Sequence, residues 1–109
     1  MSAHRIVDVS QIEARNGIFR ALTDQLGVAG FRINQLELAP GAEGLEHDHI
    51  GNGQEEVYAV VAGGGVLRTG GEEIPLRAGH FVRLPPDVRR QMVAGDQGLT
   101  WIGIGSATD

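Results

Sequence analysis

Glycine-containing turn signals divide this chain into short segments, and their spacing constrains the fold more than any other feature of the sequence. The chain has 17 glycines among 109 residues, about twice the usual share. The breaks recur about every 8–12 residues, which is the spacing of strands in a sandwich or barrel. They fall at Pro40-Gly41, Gly51-Asn52-Gly53, Gly63-Gly64-Gly65, Gly70-Gly71, Gly79, Pro85-Pro86-Asp87 and 95–98. The pattern predicts an all-β protein built from short strands.

The segments between these breaks carry β-branched or aromatic residues and are too short for helices. We therefore predict strands at 31–38, 56–61, 66–68, 73–76, 81–84, 89–93 and 100–104. Before them, residues 10–13 have the form of a helix capping box, and Asn16-Gly17 would end that short helix. Residues 18–26 fit a helix or a strand equally well, and both interpretations stay open.

Composition excludes several chemistries. The chain has no cysteine, and all nine basic residues are arginine, so thiolate, disulfide and lysine-based sites are excluded. A formal net charge of −5 argues against a nucleic-acid or membrane partner. The longest apolar run, 57–62, is too short to span a bilayer. No apolar segment typical of a secretion signal follows the N-terminus, so we predict a cytoplasmic protein with one domain over residues 1–109.

The strongest candidate functional residues are two histidines separated by one residue, His47 and His49. Residues two apart on a strand face the same side, and such imidazoles can bind one metal ion at about 2.0–2.1 Å. The hairpin dipeptide Asn52-Gly53 then returns the chain to Glu55 and Glu56, where a carboxylate can complete the ligand set. Two solvated histidines in an acidic turn explain the same pattern without a metal.

The spacing around these residues resembles the first motif of the cupins. Gly41 is followed by five residues and then by the two histidines, and Glu56 is followed by six residues and Gly63. In this resemblance the count to Gly63 selects Glu56 rather than Glu55. The gap of six residues between His49 and Glu56 is longer than the family's three or four.

The second cupin motif is present only in outline. Gly79 and Pro85 match it, but Asp87 stands where the family has glycine. Arg90 stands where the family has its third histidine, and Ala94 where it has asparagine.

The resemblance covers about residues 31–104 and implies a small antiparallel β-barrel of the jelly-roll type. It also implies that His47, His49 and Glu56 face the interior and bind a divalent transition metal such as zinc, iron, manganese or nickel. It does not define a reaction, because cupins include dioxygenases, isomerases, decarboxylases, storage proteins and ligand-binding domains.

Arg90 is the most informative departure from the family pattern. Arginine stays protonated and has no lone pair for a metal. A guanidinium about 6 Å from a divalent cation costs about 5–6 kcal/mol at an effective dielectric near 20. Three interpretations stay open: Arg90 binds an anionic substrate beside the metal, the site holds no metal, or Arg90 pairs with a barrel carboxylate as a structural residue.

Other side chains have weaker assignments. Tyr58 alternates with Glu56 on one strand, so it shares the same face and is a candidate substrate-binding donor as well as a candidate core residue. His80 is either a substitute ligand or an exposed residue where a strand begins. We expect Trp101 and Phe81 in the core.

We therefore predict a metal-dependent enzyme that acts on a small acidic or oxygenated metabolite. The alternative is a non-catalytic barrel that binds or senses a small ligand, with or without a degenerate metal site. We also expect a homodimer, because small cupins commonly pair through edge strands that would otherwise stay open.

Overall fold

The computed structural model describes residues 3–107, which form mainly antiparallel β-strands. Two short helices lie in the N-terminal part, a 3-10 helix at Val9–Gln11 and α1 at Thr23–Leu26. Within residues 3–107, no helix is long and apolar enough to cross a membrane. The strands are β1 (Phe19–Ala21), β2 (Phe31–Leu38), β3 (Glu56–Thr69), β4 (Glu72–Arg77), β5 (Phe81–Leu84) and β6 (Gln91–Ser106).

The two longest strands, β3 and β6, each take part in both layers of the sheet. In the first layer, residues 99–106 of β6 lie between β2 and residues 56–63 of β3, and β1 and β5 form the edges. In the second layer, residues 64–69 of β3 lie between β4 and residues 91–94 of β6. Buried side chains from both layers form one core, which confirms the predicted all-β jelly-roll class.

A change of side-chain parity lets one strand serve both layers. In β6, Met92 and Ala94 face the core before the bend, whereas Leu99 and Trp101 face it afterwards. Even-numbered residues therefore point inward in one half and odd-numbered residues in the other. The register between β3 and β6 shifts at two irregularities, and each extra residue in a strand moves the following side chains to the opposite face.

The predicted turns at Gly63-Gly64-Gly65 and 95–98 are wrong, because both segments are bends inside continuous strands. Gly63 has a φ of 71°, and a Cβ there would lie 2.1 Å from the backbone oxygen of Gly98. A Cβ on Gly65 would lie 2.0 Å from the backbone oxygen of Val93. These glycines let the two strand backbones approach closely where the sheet bends.

The N-terminal region also differs from the prediction. Asn16 and Gly17 have φ values of 55° and 71°, and the Ile18 N–H donates to the Arg15 carbonyl at 3.0 Å. This pair is a tight hairpin turn and does not end a helix. The 3-10 helix is capped by Asp8 rather than Ser10. Residues 18–26, for which helix and strand were both open, contain one of each, because β1 is followed by α1.

Of two aromatic residues expected in the core, one is buried and the other is exposed. Trp101 is buried, as predicted, and packs beside Tyr58. Phe81 is 75% exposed, because the inward positions of β5 are those of Val82 and Leu84 and Phe81 faces outward. The buried core consists of Leu38, Tyr58, Val60, Leu67, Leu76, Leu84, Met92, Ala94, Leu99 and Trp101.

We predict that Gly65→Ala lowers the free energy of unfolding by about 3 kcal/mol or prevents folding, since its Cβ has no space beside the Val93 carbonyl. Gly51→Ala is the matched control, because nothing lies within 4 Å of a Cβ at that position. Urea unfolding followed by far-UV circular dichroism measures both. Equal stabilities of the two variants would contradict the close approach described for the bend.

Candidate metal centre

The two histidines lie on an extended segment at the edge of the second layer. The His47 N–H donates to the Arg90 carbonyl and the Arg90 N–H donates to the His47 carbonyl, both at 2.9 Å. The His49 N–H donates to the Pro86 carbonyl at 2.8 Å. The imidazoles therefore project from the same side, with ring centroids 5.1 Å apart. Asp48, between them, lies 3.4 Å from the exposed Arg89.

The route from the histidines to the acidic residue differs from the predicted hairpin between neighbouring strands. A turn follows the histidines, in which the Gly53 N–H donates to the His49 carbonyl at 2.7 Å. The histidine segment pairs with the residues before β6, whereas Glu56 pairs with Leu84 of β5 and Gly105 of β6. The carboxylate thus comes from the first layer of the sheet and meets histidines from the second.

Three ligand atoms converge between the layers. The ring nitrogens of His47 and His49 and a carboxylate oxygen of Glu56 all lie within 4.8 Å of one another. The His49 Nε2 is 3.0 Å from Glu56 Oε1, and the His47 Nε2 is 3.8 Å from the same oxygen. Glu55 points away and forms a surface ion pair with Arg83 at 3.0 Å. This geometry agrees with the alternation of side chains along a strand, which predicts that Glu55 and Glu56 face opposite sides.

Hydrogen bonds at Nδ1 determine which ring nitrogen is free for a metal. The His47 Nδ1 lies 3.1 Å from the Leu45 carbonyl, which can only accept, so this nitrogen carries the proton. The His49 Nδ1 lies 3.2 Å from Asn52 Oδ1, an oxygen that also accepts from the Gln54 N–H at 2.9 Å. In both imidazoles Nδ1 therefore donates, and Nε2 is the atom that faces Glu56.

This arrangement fits a bound cation. A neutral His49 protonated on Nδ1 presents a lone pair at Nε2, and the Glu56 oxygen that faces it at 3.0 Å is also an acceptor. The contact is favourable only with a proton or a metal ion between the two atoms. Two imidazole nitrogens and one carboxylate oxygen are a common ligand set for divalent transition metals.

Arg90 contacts the group formed by His47, His49 and Glu56, and its side chain is completely buried. One terminal nitrogen, Nη2, donates to Glu56 Oε1, and Nη1 donates to the Val88 carbonyl at 2.7 Å. The Nε atom is buried without a partner in residues 3–107. The ion pair with a barrel carboxylate is therefore observed, while contact between Arg90 and a ligand stays a prediction.

The charges in this cluster depend on one another. Burial alone would raise the pKa of Glu56, but its contacts with His47 and Arg90 hold that pKa below its usual value. The contact with Glu56 in turn raises the pKa of His47. Burial, followed by the charge of Glu56, raises the pKa of Tyr58 to about 12. The Tyr58 hydroxyl therefore stays protonated and donates to Glu56 Oε1 at 3.3 Å.

The cluster faces a cavity of about 610 Å³, within the usual range for sites that bind small molecules. All five residues assigned to the site from the sequence line it: His47, His49, Glu56, Tyr58 and Arg90. His80 does not line it; its Nδ1 accepts from the Arg77 N–H at 3.1 Å in the turn before β5. Trp101, the single tryptophan of the chain, forms part of the wall and so provides a fluorescent probe.

Sequence reasoning missed several residues of the cavity wall. Arg15 and Asn16 contribute from the N-terminal hairpin, and Asn34 and Gln54 from the first layer and the loop before β3. Only the Asn16-Gly17 hairpin signal could have indicated part of this set, and we interpreted it as the end of a helix. The other residues reach the cavity through tertiary packing, which leaves no local pattern.

The fold and the site together define a small β-barrel protein with a candidate metal centre in its cavity. The chain belongs to the cupins: the family model described as the cupin domain matches residues 34–105. A search of the curated proteins found no match.

Solved structures resemble the chain over most of its length. A cupin protein from Bacteroides fragilis is 28% identical with a TM-score of 0.82, covering 97% of this chain and 86% of that one. A cupin-superfamily sugar phosphate isomerase from Silicibacter pomeroyi is 28% identical with a TM-score of 0.83, covering 95% of this chain and 76% of that one. A predicted oxalate decarboxylase from Thermotoga maritima shares the fold at 19% identity, with a TM-score of 0.77 and coverage of 94% and 98%.

We predict that His47→Ala, His49→Ala and Glu56→Gln each weaken zinc binding by roughly 100-fold or more, because each removes one of three ligands. Glutamine at position 56 keeps the shape of the side chain beside Arg90. Glu55→Gln is the matched control on the outer face and should leave zinc affinity unchanged. Calorimetric zinc titration measures all four variants, and equal losses for both glutamates would contradict the ligand assignment.

The same ligands make metal binding dependent on pH. Zinc must displace protons from the imidazoles, and the contact with Glu56 raises the pKa of His47, so the competition extends above the usual histidine range. We expect zinc affinity to fall as the pH is lowered from about 8 to about 6, because His47 takes up a proton. Titrations across this interval measure the slope, with circular dichroism at each pH as the control for folding. A constant affinity would exclude His47 as a ligand.

Proposed function

We propose that this cupin is a metal-dependent enzyme acting on a small acidic or oxygenated metabolite. The observation that carries the proposal is the convergence of His47, His49 and Glu56 within 4.8 Å at the wall of a cavity large enough for such a molecule. A divalent transition metal such as zinc, iron, manganese or nickel would supply Lewis-acid or redox chemistry there. The three side chains would hold it and leave coordination positions for the metabolite.

The charge balance of the cavity favours an anionic ligand. The formal charges of the Glu56 carboxylate and the Arg90 guanidinium cancel each other, so a bound divalent cation gives the cluster an excess of about two positive charges. Screening is weak in the protein interior, so this excess acts strongly on a ligand. A carboxylate or a similar anion offsets that excess, whereas a cationic ligand would add to it. This argument supports the acidic class of metabolite.

Two further residues orient the ligand in this proposal. The Tyr58 hydroxyl is protonated, lines the cavity and lies 3.5 Å from the His47 Nε2, so it can donate to a ligand oxygen near the metal. Arg90 also lines the cavity, and in this proposal its guanidinium donates a hydrogen bond to an anionic group of the ligand while it keeps its ion pair with Glu56.

The similar structures support the substrate class without defining it. One of them is described as a sugar phosphate isomerase, and another, which shares only the fold at 19% identity, as a predicted oxalate decarboxylase. Both descriptions concern small oxygenated anions. The homodimer, the cytoplasmic location and the single domain over residues 1–109 stay predictions.

The alternative function is a barrel that binds or senses a small molecule with a degenerate metal site. The observation that favours it is the contact of Arg90 Nη2 with Glu56 Oε1, the same oxygen that lies closest to His49. A guanidinium at that oxygen competes with a metal for the carboxylate. The two functions therefore differ in whether zinc can bind while Arg90 is present.

We expect Arg90→His to strengthen zinc binding on the order of tenfold or more, because it removes a buried positive charge and can add a ligand. The same change should weaken the binding of small carboxylates by the zinc-loaded protein. Arg89→His is the matched control, since Arg89 is exposed and contacts Glu46 and Asp48 outside the cavity. Calorimetry with zinc, then with carboxylates, measures both properties.

The outcomes of this titration separate the interpretations. Zinc binding to the wild type, with weaker carboxylate binding in Arg90→His, supports the enzyme proposal. Zinc binding that appears only in Arg90→His supports the degenerate site and contradicts the proposed enzyme. Unchanged affinities for zinc and carboxylates would limit Arg90 to its ion pair with Glu56.

A further inference from the structure

Two arginines line the cavity, and they differ in what they contact. Arg90 is buried and paired with Glu56, as described above. Arg15 is exposed, and within residues 3–107 it forms no ion pair with a carboxylate. It therefore offers a charged hydrogen-bond donor to the cavity that no acidic side chain in the described part of the chain neutralises.

Acidic residues outnumber arginines in this chain, which has 14 acidic and nine basic residues. Five of the nine arginines form ion pairs with carboxylates of residues 3–107. These pairs are Arg20 with Glu37, Arg68 with Glu43 and Glu73, Arg83 with Glu55, Arg89 with Glu46 and Asp48, and Arg90 with Glu56. Among the arginines outside this set, Arg15 is the one that lines the cavity.

The local structure holds Arg15 in place. Its N–H donates to the Phe19 carbonyl at 2.7 Å, and the Phe19 N–H donates back to the Arg15 carbonyl at 3.0 Å. The hairpin turn at Asn16 and Gly17 closes between them. The Arg15 guanidinium carbon lies 5.5 Å from the centre of the Phe19 ring, a cation–π contact. A side chain held in this way loses less conformational entropy when it binds an anion.

The remaining wall of the cavity shows what kind of molecule fits between its charged groups. Arg15 lies beside β1, at the edge of the first layer, and the histidines lie at the edge of the second. Apolar side chains contribute most of the other lining: Ile18, Phe19, Leu36, Leu45, Met92 and Trp101. A ligand that uses both charged regions therefore needs a carbon framework between two polar ends.

We propose that Arg15 binds a second anionic group, a carboxylate or a phosphate, at the end of the ligand remote from the metal centre. The inference rests on the proposed function, since it assumes that the other end of the ligand meets His47, His49 and Glu56. It names the substrate class more closely: a small molecule with two anionic or chelating ends. Arg15 then acts as a specificity-determining residue, and the charge-assisted hydrogen bond is the source of its selectivity.

The test compares three probes of similar size on zinc-loaded protein freed of excess zinc: butyrate, succinate and phosphonopropionate. Butyrate has one anionic end, and the other two add a second carboxylate or a phosphonate. The variants are Arg15→Gln, Arg15→Lys and the matched control Arg32→Gln, which removes another exposed positive charge, from β2 and outside the cavity. Trp101 fluorescence and calorimetry at low ionic strength report binding, and thermal melts report folding.

We expect wild type to bind at least one of the two-ended probes about five- to tenfold more tightly than butyrate. That preference should disappear in Arg15→Gln, return partly in Arg15→Lys and persist in Arg32→Gln, while butyrate affinity stays unchanged. A preference for succinate indicates a carboxylate at this end, and a preference for phosphonopropionate indicates a phosphate.

Two results would overturn the inference. If wild type has no preference for a two-ended probe, or if Arg15→Gln keeps the preference, then Arg15 does not bind the second anion, although the proposed metal site stands. If wild type binds none of the three probes, the proposed function fails as well, and the inference fails with it.

Discussion

The buried ion pair between Arg90 and Glu56 connects the two layers of the barrel at the base of the cavity. Glu56 begins β3 in the first layer, and Arg90 immediately precedes β6 beside the second. A guanidinium with no solvent exposure costs several kcal/mol in lost hydration unless an anion faces it, so Arg90 constrains where Glu56 lies. The backbone of His47 also pairs with that of Arg90, whereas the His49 N–H donates to the Pro86 carbonyl. Arg90 thus contacts two of the three candidate ligands, Glu56 through its side chain and His47 through its backbone.

This dependence also limits the chemistry of the site. Glu56 Oε1 receives the guanidinium and the Tyr58 hydroxyl and faces both imidazoles. A metal at the site must share the carboxylate with a cation that cannot lose its proton. The family position occupied by Arg90 normally adds a neutral ligand; here it adds a charge. An anionic ligand offsets that charge, so metal affinity and ligand affinity are expected to rise together in this cupin.

The sequence predicted which side chains lie together at the cavity more accurately than it predicted the path of the strands. Alternation along a strand is local, so His47 and His49 could be placed on one side, and Glu56 separated from Glu55, before any tertiary contact was known. A run of glycines such as 63–65 is typical both of a turn and of a bend within a strand, so the sequence could not distinguish the two. Only the approach of Gly65 to the Val93 carbonyl distinguishes the two, and that contact joins residues far apart in sequence. The prediction that Phe81 faces the core was wrong for the same reason, because the orientation of this side chain depends on how β5 pairs with β3.

The division of the cavity between two parts of the chain has a consequence for specificity. His47, His49, Glu56 and Arg90 lie inside the region matched by the cupin model, residues 34–105, whereas Arg15 lies before it. The Arg15 hairpin is joined to the barrel through β1, the edge strand of the first layer. An edge strand can change its residues without disturbing the strands that hold the ligands, since it is hydrogen-bonded on one side only. In the arrangement we propose, the barrel determines the chemistry at one end of the ligand, and the hairpin that precedes the region matched by the cupin model selects what the other end carries.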